Sequence, residues 1–174
     1  MLRARGLVVE SPVIVARTGW TTDELSRGID AAAPSGPFDL VTLQIGVNDQ
    51  YCGRAADAYA DAFAALLRRT VRFAGGEPRR VIVISIPDWS VTPFAAGRDR
   101  ARIAAEIDAF NAINRNAAGR TGALYVDVTP TSRPAATDAT LLVRDGLHPS
   151  AKMYDTWAQL VLEPALRVVD RPGR

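Results

Sequence analysis

The stretch from Phe38 to Asp49 constrains the fold more than any other part of this sequence. It begins as a nearly continuous apolar run and stops at a glycine followed by short polar side chains, in the order Gly46-Val47-Asn48-Asp49. An uninterrupted apolar run of this length is typical of a strand covered on both faces in a parallel sheet. Since ligands bind at the carboxyl ends of such strands, Asn48 is predicted to lie at the edge of a binding crevice.

Two interpretations of Asn48 follow from its type and position. An amide at the end of a rigid strand can donate a hydrogen bond to a developing oxyanion. In an isolated G-x-N-D, however, Asn48 and Asp49 more often turn the chain and cap the next helix. A second catalytic motif elsewhere in the sequence is therefore needed to favour the oxyanion interpretation over the turn and cap.

The only histidine, His148, supplies that motif. Asp145 precedes it by three residues, so its carboxylate can accept the Nδ1–H, fix the tautomer and leave Nε2 free as a general base. Pro149 disfavours the helical conformation at His148 and suits the first turn of the next helix. The sequence therefore predicts a loop histidine oriented for proton transfer, although a lone D-x-x-H is a weak signal.

The two motifs together resemble sequence blocks of the SGNH hydrolases, also called GDSL-type esterases and lipases. Gly46–Asp49 is similar to the third block, Asp145–Pro149 to the fifth, and Arg17–Thr22 to the second. The similarity runs in order from about residue 19 to the last helix, which covers nearly the whole chain.

The resemblance implies roles for four residues. The Gly19 N–H and the Asn48 side chain would donate to the oxyanion, His148 would be the base, and Asp145 would orient it. It also implies a serine ester hydrolase that acts on a small-molecule ester and needs no metal or organic cofactor.

The serine nucleophile of the family has no counterpart here. The sequence contains neither a Gly-Asp-Ser block nor a G-x-S-x-G elbow. Met1–Gly6 is typical of the end of a helix with its glycine stop. We therefore expect the complete fold to begin about 30 residues earlier, with a strand, its loop and most of a helix. The serines outside any such context are Ser11, Ser26, Ser35, Ser85, Ser90, Ser132 and Ser150.

Composition limits the other function classes. At 174 residues with 48% hydrophobic residues, the chain suits one domain, residues 1–174. The net charge of +2 without blocks of like charge predicts neither nucleic acid nor a membrane surface as partner. One histidine and one cysteine, Cys52, leave no internal disulfide and make a transition-metal site improbable. Without a transmembrane run or a signal-peptide core, the chain as given is expected to be cytoplasmic.

Strands and helices are predicted to alternate, which gives a three-layer α/β/α fold with a flavodoxin-like parallel sheet. A flavodoxin-like sheet has the strand order 2-1-3-4-5, so its first strand lies inside the sheet. Here that strand is predicted to be missing from its place between the strands Val13–Ala16 and Leu40–Ile45. That loss would expose strand edges and favour self-association. The other predicted strands are Arg80–Ile86 and Ala123–Asp127. A first, short helix is predicted to begin at Thr21 or Thr22, and three longer helices are predicted over Asp57–Ala74, Arg98–Ala118 and Ser150–Leu162. The last helix is predicted to be anchored by Tyr154, Trp157 and Val161 and to be kinked or restarted by Pro164.

The loop after the Arg80–Ile86 strand carries Trp89 and Phe94. These side chains, with Leu147 beside the histidine, are candidates for an acyl or aryl pocket. The alternative, that they only pack the loop onto the core, is about equally supported.

Three functions are compatible with these observations. The favoured one is an ester hydrolase of the SGNH family whose present form is inactive if the nucleophile is absent. The second is a non-catalytic binding protein for an acylated sugar or lipid. The third is an unrelated flavodoxin-like domain in which both motifs are caps and turns, and the ordered match of three blocks disfavours it.

Overall fold

A three-stranded parallel sheet lies at the centre of residues 1–169, the part of the chain that the computed structural model describes. Its strands are β1 (Val41–Leu43), β2 (Val81–Ile84) and β3 (Leu124–Val126), in the order β1-β2-β3. The predicted parallel α/β fold is therefore confirmed. Three of the predicted strands are present, and each is shorter than its apolar run.

Helices fill the connections between the strands. They are α1 (Thr22–Ala32), α2 (Val47–Tyr51), α3 (Ala56–Phe73), α4 (Arg100–Thr121), α5 (Thr129–Ser132) and α6 (Ala151–Val169). Short 3-10 helices cover Arg3–Arg5, Pro78–Arg80, Trp89–Val91, Pro93–Ala95, Arg133–Ala136 and Ala139–Leu141.

Local sequence signals explain the helix ends. The start of α1 is a capping box, in which the Thr21 backbone N–H donates to Glu24 Oε2 at 2.8 Å. Helix α3 ends at Phe73, one residue before the predicted glycine stop, where Gly75 adopts a φ of 70°. These boundaries fall where the sequence predicts them, because each depends on contacts within a few residues.

Each face of the sheet carries its own hydrophobic core. Helices α1, α3 and α4 cover one face, where Tyr59 of α3 stacks on Phe110 of α4 with ring centroids 4.2 Å apart. Helices α5 and α6 cover the other face, where Met153 and Trp157 pack near Ile82. The result is the predicted three-layer arrangement.

The predicted buried strand at Val13–Ala16 is wrong. These residues form no strand, and Val13 and Ile14 are 60% and 78% exposed. A strand needs a neighbour for its backbone hydrogen bonds, and none lies beside this segment in the part of the chain described. The apolar pattern alone could not show that the neighbour is missing.

The prediction that β1 is covered on both faces is also wrong. Leu43 is buried, but Thr42, which points to the opposite face, is exposed. Helix α6 packs against β2 and β3, which leaves that face of β1 open. Within residues 1–169, β1 pairs only with β2, so its outer edge is free. Self-association through this edge stays a prediction.

The last helix differs from its prediction in two respects. Helix α6 continues through Pro164 to Val169, because the buried Trp157 and Ala165 anchor it on both sides of the proline. Tyr154 is not an anchor, since it is 54% exposed. The buried face runs instead through Met153 and Trp157, four residues apart, and Tyr154 only packs edge-on against Trp157.

No helix among residues 1–169 is both long enough and apolar enough to cross a membrane.

Candidate active site

A narrow antiparallel turn holds the histidine loop in place. Leu142 and Pro149 form an isolated bridge, and the Val143 N–H donates to the His148 carbonyl at 2.9 Å. Gly146 turns the chain at a φ of 68°, a conformation that favours glycine. His148 therefore lies on the loop that immediately precedes α6, as the sequence predicts.

Asp145 and His148 form a closed local unit. The His148 Nδ1 lies 2.7 Å from Asp145 Oδ2, and Asp145 Oδ1 accepts the backbone N–H groups of Leu147 and His148, each at 2.9 Å. The imidazole is 53% exposed, and its Nε2 has no hydrogen-bond partner among the described residues. The carboxylate thus fixes the ring and leaves Nε2 open to a reacting group.

These hydrogen bonds also stabilise the charged form of the carboxylate. The backbone N–H of His148, then its imidazole, then the N–H of Leu147 lower the pKa of Asp145 to about 2. Asp145 therefore stays an acceptor across the whole range in which an esterase works.

Asn48 lies at the start of α2, just past the carboxyl end of β1. Its Nδ2 donates to the Trp20 carbonyl at 2.9 Å, which fixes the direction of the amide. An amide nitrogen carries two donors, so the second N–H stays available. Gly19 precedes Trp20, is exposed, and has a φ of 88°; its N–H has no acceptor within residues 1–169. Asn48 therefore contacts the residue that follows Gly19, and the role of both as oxyanion donors stays a prediction.

Asp49 holds this half of the site together. Its side chain is fully buried and accepts the Thr22 N–H at 2.9 Å, the Thr22 hydroxyl at 2.7 Å and Arg54 Nη1 at 3.1 Å. The start of α1 is thereby tied to the start of α2. The sequence predicts Asp49 only as part of a turn or cap, because its partner Thr22 is 27 residues away and no local pattern joins the two.

The loop after β2 contacts both halves. The Trp89 indole N–H donates to Gln50 Oε1 at 2.8 Å, and the Phe94 backbone N–H donates to the Gly146 carbonyl at 3.2 Å. Asp145 thus hydrogen-bonds to His148, and Asn48 hydrogen-bonds to Trp20 in the segment that contains Gly19. The two pairs share a neighbouring loop, and no hydrogen bond joins them directly in residues 1–169.

The three candidate pocket residues have different surroundings. Trp89 is 6% exposed and packs the loop onto the core, as the alternative interpretation held. Together with Leu147 it lines a cavity of about 30 Å³, which is too small for a substrate. Phe94 is 39% exposed and packs beside Tyr51 and Trp89.

Trp89 also lines a wider groove of about 250 Å³. Its lining residues, chiefly Gln50, Tyr51, Arg98 and Glu106, were not singled out from the sequence. They come from α2, from the segment just before α4 and from α4 itself, and α2 is distant in sequence from the other two, so no local pattern could join them. Among residues 1–169, no group of three His, Cys, Asp or Glu side chains is placed to hold a metal ion.

The sequence matches the model of the GDSL-like lipase/acylhydrolase family over residues 2–156. The chain belongs to this family. The three ordered motifs therefore identify the family correctly from the sequence. No curated protein sequence matches the chain significantly.

Solved structures of GDSL-like and related enzymes share the fold. A protein from Parabacteroides merdae ATCC 43184, described as a GDSL-like lipase, has a TM-score of 0.65 and 17% identity, over 84% of this chain and 69% of its own. A catalytic mutant of Axe2, an acetylxylan esterase from Geobacillus stearothermophilus, has a TM-score of 0.62 and 20% identity, over 84% and 68%. LAE5, an α/β hydrolase from the metagenome of Lake Arreo, has a TM-score of 0.57 and 20% identity, over 86% and 68%. At these identities the structures establish the fold.

Proposed function

We propose that this chain carries the proton-transfer and oxyanion-binding parts of an ester-hydrolase site. The main observation is the pairing of His148 with Asp145, which fixes one ring nitrogen at 2.7 Å and leaves the other accessible. Membership of the GDSL-like lipase/acylhydrolase family supports ester hydrolysis as the reaction class.

In this proposal, His148 Nε2 takes the proton of the attacking hydroxyl and returns it to the leaving alcohol. Asp145 keeps the imidazole in the required tautomer. The Gly19 N–H and the second N–H of the Asn48 amide stabilise the oxyanion of the tetrahedral intermediate, and one such donor typically contributes about 3 kcal/mol.

The nucleophile is unassigned in this chain. None of its seven serines, all of which lie within the described residues, hydrogen-bonds to His148. Ser85, Ser90 and Ser132 are buried, and Ser150 Oγ donates to the Thr140 carbonyl at 2.7 Å. Without a serine, His148 can still act as general base for attack by water, although more slowly.

We expect the 174-residue chain to hydrolyse p-nitrophenyl acetate slowly but above the buffer rate. His148→Ala should lower this excess rate about 100-fold or more, because general acid–base catalysis contributes about 10² to 10⁴. Release of p-nitrophenolate, followed by absorbance, measures both rates. Arg144→Ala is the matched control, since Arg144 is exposed on the same loop. Equal excess rates in the parent chain and in His148→Ala would contradict the proposal.

A second candidate is a binding protein that keeps the cleft without catalysis. The observation that favours it is the lack of a serine beside His148 in residues 1–169. NMR spectra recorded with phenyl acetate separate the two candidates. Appearance of free acetate supports the hydrolase, whereas a shift of the Asn48 side-chain amide signals without acetate supports the binding protein.

A further inference from the structure

The loop between β2 and α4 contacts both halves of the candidate site. Near its start, the Trp89 indole N–H donates to Gln50 Oε1 of α2 at 2.8 Å. Further along, the Phe94 backbone N–H donates to the Gly146 carbonyl of the histidine loop at 3.2 Å. The position of this loop therefore helps to set the distance between the histidine loop and α2, the helix that carries Asn48.

The two contacts of the loop differ in burial. Trp89 is 6% exposed, so its hydrogen bond to α2 is shielded from water. Phe94 is 39% exposed, and its ring centroid lies 6.1 Å from that of Tyr51, the last residue of α2. Because a partly exposed ring removes less apolar surface from water than an enclosed one, the Phe94 end needs a further contact to stay against α2.

Arg98 supplies this further contact. Its guanidinium carbon is 5.3 Å from the ring centroid of Tyr51, 5.7 Å from that of Trp89 and 5.1 Å from that of Phe94. A cation is attracted to an aromatic face within about 6 Å of its centroid. The Arg98 Nη2 also donates to the Tyr51 hydroxyl at 3.3 Å. One side chain thus joins the last residue of α2 to the exposed end of the loop.

The backbone of the loop brings Arg98 to this position. Pro93 begins a 3-10 helix that ends at Ala95, and Gly97 follows at a φ of 75°, a conformation that favours glycine. The Arg98 N–H donates to the Ala95 carbonyl at 3.1 Å, which closes the turn. The chain therefore folds back and places the guanidinium beside the ring of Phe94, four residues earlier.

Two arginines contact the loop in different ways. The Arg100 guanidinium donates to the carbonyls of Ser90 and Thr92 at 2.9 and 3.1 Å, so it fixes the middle of the loop through the backbone. Within residues 1–169, no carboxylate forms a salt bridge with Arg98. Its charge therefore acts on the aromatic rings and on the Tyr51 hydroxyl.

We propose that Arg98 is a positioning residue, which holds the Phe94 end of the loop against α2 and thereby fixes the histidine loop relative to Asn48. This inference rests on the proposed ester-hydrolase function, in which the base and the oxyanion donor act on the same carbonyl group. A misplacement of about 1 Å can lower the rate of such a reaction about 100-fold. Arg98 acts through Tyr51 and Phe94, and not by contact with the ester.

Amide hydrogen exchange, followed by NMR, tests the position of the loop without catalysis. In Arg98→Ala the Phe94 N–H should exchange about tenfold faster, because loss of the cation–π contacts lets its bond to Gly146 open more often. The Val143 N–H, which donates to the His148 carbonyl at 2.9 Å, should keep its exchange rate, since that bond lies within the histidine loop. An unchanged Phe94 rate, or equal acceleration at Phe94 and Val143, would overturn the proposal.

Further variants separate this contact from a general effect of substitution. Arg98→Lys should restore most of the Phe94 protection, because an ammonium group is also attracted to ring faces. Tyr51→Ala added to Arg98→Ala should accelerate exchange little further, because the two residues act through one contact. Arg68→Ala is the matched control, an exposed arginine on α3. Equal acceleration by Arg68→Ala and Arg98→Ala would contradict the assignment.

Hydrolysis of p-nitrophenyl acetate measures the consequence for the site. Arg98→Ala should lower kcat and kcat/KM by the same factor, about tenfold, because a shifted loop spoils alignment in the transition state and not binding of the ester. Arg68→Ala should leave both unchanged. A rise in KM at constant kcat in Arg98→Ala would show that Arg98 binds the ester, and would overturn the positioning role.

The outcomes separate this inference from the proposed function. Hydrolysis that depends on His148, with Phe94 exchange and kcat unchanged in Arg98→Ala, would overturn the positioning role and leave the hydrolase standing. Faster Phe94 exchange in Arg98→Ala, with hydrolysis unaffected by His148→Ala, would support the loop contact and overturn its assignment to catalysis.

Discussion

The two halves of the candidate site are built in opposite ways. Asp145 and His148 are three residues apart, are about half exposed, and satisfy each other through bonds within one turn. Asn48 and Asp49, by contrast, depend on partners 28 and 27 residues away, and the Asp49 carboxylate has no solvent exposure.

The orientation of the His148 ring is therefore set locally, whereas the position of Asn48 is set by distant parts of the chain. The histidine loop carries its own tautomer control and needs the rest of the fold mainly as a support. The Asn48 half forms only when α1 and α2 are packed together, so its geometry should be lost when the protein unfolds. Substitutions in the two halves are therefore expected to differ in their effect on stability.

The largest difference in the free energy of unfolding is expected between substitutions at two glycines. Gly46 begins the Asn48 half, and Gly146 turns the chain in the histidine loop. At Gly46, which has a φ of 121°, an added Cβ would overlap the Tyr59 hydroxyl and lie 2.8 Å from Ile86 Cδ1. Gly46→Ala should cost about 4 kcal/mol, from backbone strain and overpacking together. Gly146→Ala should cost only about 1 to 2 kcal/mol, because its left-handed conformation is mild and its nearest contact is Pro93 Cβ at 3.2 Å.

Urea unfolding followed by circular dichroism measures both losses. Similar losses for the two glycine variants would show that the histidine loop is as tightly packed as the Asn48 half.

The next effect concerns the two acids that bind Arg54. Asp49 and Asp23 accept the same Nη1, at 3.1 and 3.0 Å, but their side chains are 0% and 59% exposed. Asp49→Asn should cost about 3 kcal/mol, because it breaks a buried charge pair. Asp23→Asn should cost less than about 1 kcal/mol, as exposed pairs do. Urea unfolding of the two variants checks this, and equal costs would mean that burial of Asp49 does not set its contribution.

The smallest effect is a change in pKa within the histidine loop. The folded pKa of Asp145, about 2, lies below the ordinary carboxyl value of about 3.9. Its contribution to stability is therefore fully present above about pH 4 and is lost as the pH falls towards 2. His148→Ala should raise the pKa of Asp145 but not to the ordinary value, because the backbone N–H bonds remain.

A carbon-13 NMR titration of the carboxyl groups measures this shift. Asp138 is the internal control, since Lys152 first and Thr140 second lower its pKa to about 2 without His148. An Asp145 pKa unchanged by His148→Ala would show that the imidazole does not stabilise the carboxylate.

Sequence reasoning reached some of these features and not others. The helix start at Thr21 and the dyad of Asp145 and His148 were predictable, because each is formed by residues within three positions of one another. Family membership was predictable from motifs in a fixed order. The buried role of Asp49 was not, because its partner Thr22 lies in a different helix.

Errors in the predicted fold have the same origin. Val13–Ala16 has the composition of a buried strand, and Thr42 lies within an apolar run, but burial requires a neighbour that the pattern does not specify. The sequence by itself determined the start of α1, the approximate ends of the long helices and the chemistry of the histidine loop, because short-range hydrogen bonds and turn preferences act within a few residues. Only the tertiary structure decided which face of β1 is open, how Asn48 is held and where the groove of Tyr51 and Arg98 forms, because those depend on which distant segments pack together.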